Sequence, residues 1–274
     1  MDNLYLALTA EFNRGRLRAL LSSGQAVVAH RLAIMSKDGD WILREEQETL
    51  DHVLAVLASH GAWYRFGAPL DRRWLAGGWS SHFEFRRGLL RFRTDFVTRP
   101  PRLSAEELAQ LWRNAEHSGD AVVPLEPLAA LKLTDREKDY AVIGELARRM
   151  TEPESQFLYS RSSRDLIALA ESHPEALGRV LPRRPPLASI ASGREALDEA
   201  LDRERRALMR ANEERLASYE RAAAAWKGGW PALAREVEGM PLDEAHRRIT
   251  SRAEGLLPFG PVPDAQPQTR SHDA

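Results

Sequence analysis

From Leu89 to Val97 the side chains alternate, with Phe92, Thr94 and Phe96 on one side and Arg91, Arg93 and Asp95 on the other. A period of two marks a half-buried β-strand. The segment therefore demands a sheet with one face against a core, and it sets an acid on the opposite face. Asp40 to Leu43 reads as another strand, headed by Lys37-Asp38-Gly39-Asp40. Residues i and i+2 of a strand point the same way, so Asp38 and Asp40 can present two carboxylates to one spot while Gly39 faces away. Two acids so close disfavour each other's charge unless a cation lies between them. Mg²⁺ takes oxygen ligands and is often shared between carboxylates and substrate phosphates. Asp-Gly is also a common turn dipeptide, and Asp95 could instead form an ion pair with Arg93 or with a residue across the strands. With Asp95 as a third carboxylate, the set matches a two-metal site.

The rest of the first half mixes helix and strand. Residues 4–21 carry a helical stripe of Leu4, Leu8, Phe12, Leu17 and Leu20-Leu21, broken by Ser22-Ser23-Gly24. Gln25 to Arg31 is a buried strand or a helix start, and Glu45 to His60 a helix stopped by Gly61. Trp63 to Phe66, Trp74 to Ala76 and His82 to Phe85 read as strands. Ser104 with Glu107 predicts a capping box. Pro127 to Met150 reads as mostly helical, and beyond it the chain looks almost wholly so. Pro182-Arg183-Arg184-Pro185-Pro186 reads as a linker. Residues 192–227 predict one long charged helix with Leu197, Leu201, Leu208, Leu216 and Tyr219 on one face, a surface for self-association if exposed. Leu242 to Leu257 predicts a shorter helix. The expected division is a domain over 1–150, a helical C-terminal region over 151–257 and a flexible tail over 258–274.

Composition narrows the function classes. The 274 residues are 43% hydrophobic and carry a net charge of −1, so no global basic field advertises nucleic acid. The absence of cysteine excludes disulfides, zinc–thiolate sites and cysteine nucleophiles. No run approaches the roughly 18 apolar residues of a membrane span, and the N-terminus lacks a basic leader. The expectation is a cytoplasmic protein with no membrane partner. There is no Walker sequence, no Gly-x-Gly-x-x-Gly and no Gly-x-Ser-x-Gly elbow.

Two further segments join the acids. Ser23-Gly24 is a small turn whose backbone N–H groups could approach phosphate, or simply a helix-to-strand turn. Lys132 stands near Arg136 and Asp139; it could reach a triphosphate or lie on a solvated helix face. Lys132 is one of only four lysines in a chain whose other cations are arginine. Gly77-Gly78 with Ser80-Ser81 reads as a hairpin or bulge rather than a phosphate loop.

Ser22-Ser23-Gly24-Gln25-Ala26-Val27, Ser36-Lys37-Asp38-Gly39-Asp40, Arg93-Thr94-Asp95-Phe96-Val97 and Leu131-Lys132 with Arg136-Glu137-Lys138-Asp139-Tyr140 follow one another in an order that resembles the minimal nucleotidyltransferase superfamily. The look is nearest to AbiEii-like and uncharacterised bacterial nucleotidyltransferases, over about residues 10–150. The chain departs at the turn, with Ser-Ser-Gly where the family carries Gly-Ser or Gly-Gly. The resemblance implies an α/β (α+β) fold, a mixed sheet flanked by helices, followed here by a helical C-terminal region. It implies that Asp38, Asp40 and Asp95 hold catalytic Mg²⁺ or Mn²⁺, with Asp95 also helping to deprotonate the acceptor. Ser23 and Gly24 would grip phosphate, and Lys132, with Asp139 beside it, would contact the triphosphate. The implied reaction moves a nucleoside monophosphate from an NTP to a hydroxyl of RNA, protein or a small molecule. By the same resemblance the partner could be an antitoxin. A catalytically idle module of that fold remains the alternative.

Overall fold

The alternating segments build one five-stranded mixed sheet of a computed structural model that describes residues 3–262. In chain order the elements are α1 (Leu4–Phe12), β1 (Ala19–Ser22), α2 (Ser23–Ala29), β2 (Asp38–Leu43), α3 (Gln47–Ser59), β3 (Trp63–Tyr64), α4 (Arg72–Leu75), β4 (Ser81–Arg87), β5 (Leu90–Val97) and α5 (Ala105–Ser118). There follow α6 (Leu125–Leu131), α7 (Glu137–Arg149), α8 (Pro153–Tyr159), α9 (Ser163–Ser172), α10 (Pro174–Val180), a 3₁₀ stretch (Pro185–Ser192), α11 (Arg194–Ala222), α12 (Ala224–Glu236) and α13 (Leu242–Ala253). The fold class is α+β with a helical C-terminal region. No described helix is long and apolar enough to cross a membrane.

The sheet runs in the order β1-β2-β5-β4-β3. β2 and β5 are parallel, and the other pairs are antiparallel. One face is apolar: Phe12, Trp41, Phe83 and Phe96 are fully buried. Trp41 stacks on Phe96 at 5.4 Å, and Phe12 meets Trp41 edge-on at 5.2 Å. Each such side chain removed from water contributes about 1.5–3 kcal/mol. The sheet's register hangs on this face, because a slip of one residue would put Trp41 and Phe96 outside and Asp40 and Asp95 within.

Two compact units divide the chain: residues 1–123 with 215–274, and residues 124–214. The expected boundary at residue 150 is not where the units part. The last turns of α11, with α12 and α13, belong to the unit that holds the sheet; Trp226, Leu233, Leu242 and Ile249 enter its core. The second unit has its own core around Phe157, Leu166, Val180, Leu187 and Leu197.

Several local expectations are corrected. The helix expected over 4–21 stops at Phe12, because Asn13 turns its side chain to the backbone of Arg18 and Ala19. Leu20-Leu21 then continue as β1, not as a helical stripe. Trp74-Leu75 lie in the short helix α4, capped by Asp71, whose carboxylate accepts from the Arg73 N–H at 2.9 Å. The proline-rich linker is structured. Buried Arg184 donates to the carbonyls of Phe157 and Ser160 and to Glu204, which anchors the following 3₁₀ stretch. The long helix breaks at Ala223. Its stripe is largely spent inside the chain, since Leu197 and Leu201 are buried and only Leu216 of the five is exposed. Residues 258–262 are no loose tail. The Pro258 carbonyl accepts from Trp79 Nε1 at 2.9 Å, Phe259 packs on Trp74, and Val262 is buried. The remainder of the expected tail lies outside the described residues.

Candidate functional site

The polar face of the sheet is fixed by register. Ser22 pairs with Asp40, Asp40 with Asp95, and Asp95 with His82, so one row of side chains crosses four strands. The adjacent row carries Asp38, Arg93 and Glu84. Strand parity is the cause: Gly39, Trp41, Thr94 and Phe96 take the core side and leave the acids on the other.

Asp38 Oδ1 is itself buried and has no hydrogen-bond partner, while 40% of the side chain is exposed; Arg93 Nη1 lies 3.9 Å from it. A buried carboxylate oxygen without a partner is costly, and a divalent cation is one way to satisfy it. Asp95 is differently placed. Its Oδ1 accepts from His82 Nδ1 at 2.7 Å and lies 3.7 Å from Arg65 Nη1. His82 Nε2 is in turn 2.8 Å from Ser80 Oγ. Among the described residues no three His, Asp or Glu side chains converge closely enough to enclose an ion by themselves. The oxygen-rich pair on β2 still fits Mg²⁺, which commonly takes one or two carboxylates and completes its shell with phosphate and water. The negative charge is felt nearby: burial and then Asp38 push the Tyr5 phenol up to about 12, a backbone hydrogen bond from Arg93 opposes them, and Asp40 and Asp95 add smaller upward contributions.

Ser23 and Gly24 open α2 beside these acids. Ser23 has φ +49°, in the left-handed region that non-glycine residues rarely occupy. Gly24 packs so closely on Ser36 that a Cβ would collide with the Ser36 side chain. Gln25 Nε2 donates to the Ser36 carbonyl at 2.8 Å, which ties the start of α2 to the chain entering β2.

Lys132 and Asp139 belong to the second unit and are brought together there. Lys132 follows the last residue of α6 and Asp139 sits in the first turn of α7, so the chain bends between them instead of continuing one helix. Lys132 Nζ donates to Asp139 Oδ1 at 3.3 Å, and both side chains are buried. Asp139 also accepts from Thr134 Oγ1 at 2.7 Å and Arg136 Nε at 2.9 Å. Burial raises this carboxyl's pKa, but Thr134, Lys132 and Arg136 together outweigh it, and the net shift is downward. The solvated helix face allowed for these residues is thus replaced by a buried ion pair.

A cavity of 380 Å³ reaches this face of the sheet at His82. His82, Ser80 and Val97 line it from the sheet side, and Trp79, Tyr219 and Trp226 supply aromatic walls. Gly77-Gly78 is a tight turn under Tyr219, whose hydroxyl donates to the Gly77 carbonyl at 2.9 Å. Sequence reasoning gives His82 and Arg65 no role in a site and names Ser80 only in the turn weighed against a phosphate loop. One signal existed: in His82-Phe83-Glu84-Phe85 the alternation that buries Phe83 and Phe85 sends His82 to the polar face.

Searches for similarity find no family model, no curated protein and no solved structure that matches this chain.

Proposed function

We propose that the sheet's polar face is the site of a metal-dependent nucleotidyltransferase, moving a nucleoside monophosphate from an NTP to an acceptor hydroxyl. The observation that carries this reading is the apposition of Asp40 with Asp95 next to Asp38, whose Oδ1 has no hydrogen-bond partner. Asp38 and Asp40, with Asp95 beside them, would hold Mg²⁺ or Mn²⁺, which when bound supplies charge neutralisation to the phosphates. Asp95 would orient the acceptor hydroxyl and take its proton, with His82 holding the carboxylate in place. The N–H groups at Ser23-Gly24 would bind phosphate oxygens. RNA, a protein hydroxyl or a small molecule could be the acceptor, and an antitoxin could be the partner.

Asp95 is engaged by His82 and Arg65, and this favours a second reading: a nucleotide-binding module that does not turn over. Pyrophosphate release from each NTP with Mg²⁺ or Mn²⁺, using cellular RNA and protein as acceptors, separates the two. Release by the wild type that is lost in Asp38→Ala/Asp40→Ala supports the transferase. Metal-dependent binding without release supports the module.

A further inference from the structure

Ser80, His82 and Asp95 form a continuous hydrogen-bonded line. Asp95 Oδ1 holds His82 Nδ1 at 2.7 Å, and Ser80 Oγ lies 2.8 Å from His82 Nε2. With the Nδ1 proton directed at the carboxylate, Nε2 is the free acceptor, and the hydroxyl of Ser80 is its donor. This is the order and spacing in which an acid orients a base and the base activates a hydroxyl; it is recognised by geometry, not by sequence position.

The imidazole is also held sterically. A Cβ on Gly67 would fall 2.5 Å from His82 Cδ2, so the ring lies directly against that backbone. The Gly67 carbonyl accepts from Trp226 Nε1 at 2.9 Å, and the Ser80 carbonyl accepts from the Ala68 N–H at 2.9 Å. Both Ser80 and His82 open into the 380 Å³ cavity, whose other walls include Trp79, Tyr219, Trp226 and Leu257. A pocket with apolar aromatic walls suits a neutral apolar group better than a triphosphate. Arg215, Glu220 and Lys227 line the same space and give it a polar rim.

We infer that Ser80 is a nucleophile for acyl transfer and that the cavity takes esters of small apolar or aromatic carboxylic acids. Ser80 Oγ attacks the ester carbonyl carbon and its proton passes to His82 Nε2. The adduct collapses, the bond to the alcohol oxygen breaks, and that oxygen takes the proton from Nε2. Water then attacks the acyl-serine and gives a proton to Nε2. The bond to Oγ breaks, Oγ recovers the proton, and a carboxylic acid leaves. Asp95 orients the imidazole throughout. The inference does not rest on nucleotidyl transfer, although the two share Asp95.

The test uses the full chain with a fluorophosphonate probe and, separately, para-nitrophenyl butyrate. The expected result is covalent label mapped by peptide mass spectrometry to Ser80 and abolished in His82→Gln. Ester turnover should fall on the order of 10²-fold or more in Ser80→Ala, a substitution that removes one oxygen from a half-exposed site. Absence of label at Ser80, or of an ester turnover lost with Ser80→Ala, overturns the inference. Pyrophosphate release is scored separately, so failure here leaves the nucleotidyl reading to its own test.

Discussion

Asp40 and Asp95 stand opposite each other on β2 and β5, at the same position of a parallel register. Like charges so placed work against the fold, and the cost falls if a cation joins them. Asp40→Asn removes this repulsion together with Asp40's own contacts, so the stability of the metal-free protein should change by no more than about 1 kcal/mol. The same substitution should remove any rise in melting temperature produced by Mg²⁺ or Mn²⁺ with an NTP. Thermal unfolding of both proteins with and without metal and nucleotide checks the pair of effects.

Gly24 and Ser36 should be coupled. Gly24→Ala forces a Cβ into the Ser36 side chain and should cost about 1–3 kcal/mol. Ser36→Gly removes both crowding atoms, so the double variant should recover most of that loss. A double-mutant cycle measured by urea unfolding reads the coupling directly.

What the sequence made legible follows from periodicity. β5 was readable because Phe92, Thr94 and Phe96 alternate with charged residues over a full strand, and α5 because Ser104 and Glu107 form both bonds of a capping box. The parallel register that sets Asp40 against Asp95 had no local signal, since nothing near either residue specifies its partner strand. α1 was overextended because Leu17, Leu20 and Leu21 continue the helical spacing by coincidence. The role of Asn13 in ending the helix depends on a backbone it meets only in the fold. Lys132 and Asp139 read as neighbouring charges in the sequence, but whether such a pair is solvated or buried depends on tertiary packing. His82 has no spacing partner in the sequence, being an isolated histidine in a strand; Asp95 reaches it only through the β4–β5 pairing.

Glu204 holds two arginines in the second unit. It accepts from Arg184 Nη2 at 2.6 Å and from Arg161 Nη1 at 2.7 Å. Burial pushes the Glu204 carboxyl up, but Arg184 and Arg161 prevail and hold it below its ordinary value. Burial, then the neighbouring Arg184, lowers Arg161 to about 10, with Glu204 opposing. Glu204→Gln leaves two guanidinium groups without their shared counter-charge and should cost about 3–5 kcal/mol in urea unfolding. Because the folded carboxyl binds its proton more weakly than the unfolded one, this contribution is complete above about pH 4.5 and lost as pH falls through the lower, folded value.

His246 gives a pH dependence closer to neutrality. Tyr64 donates its hydroxyl proton to His246 Nδ1 at 2.7 Å while accepting from the Leu70 N–H at 3.0 Å. Burial pushes the imidazole below its ordinary value; Asp71 and Asp51 oppose this, while Arg247 and Arg73 reinforce it. The unfolded chain then binds a proton that the folded chain resists, so stability is full above about pH 6.5 and declines as pH falls below it. The melting temperature of the wild type should drop between pH 7 and pH 5. His246→Leu should flatten that part of the profile.

The most direct test of the central claim is calorimetric titration of each NTP with Mg²⁺ into the wild type and into Asp38→Asn/Asp40→Asn. The account predicts metal-dependent binding of at least one NTP by the wild type and its loss in a variant that remains folded by circular dichroism. No binding by the wild type, or binding unchanged in the variant, would contradict it.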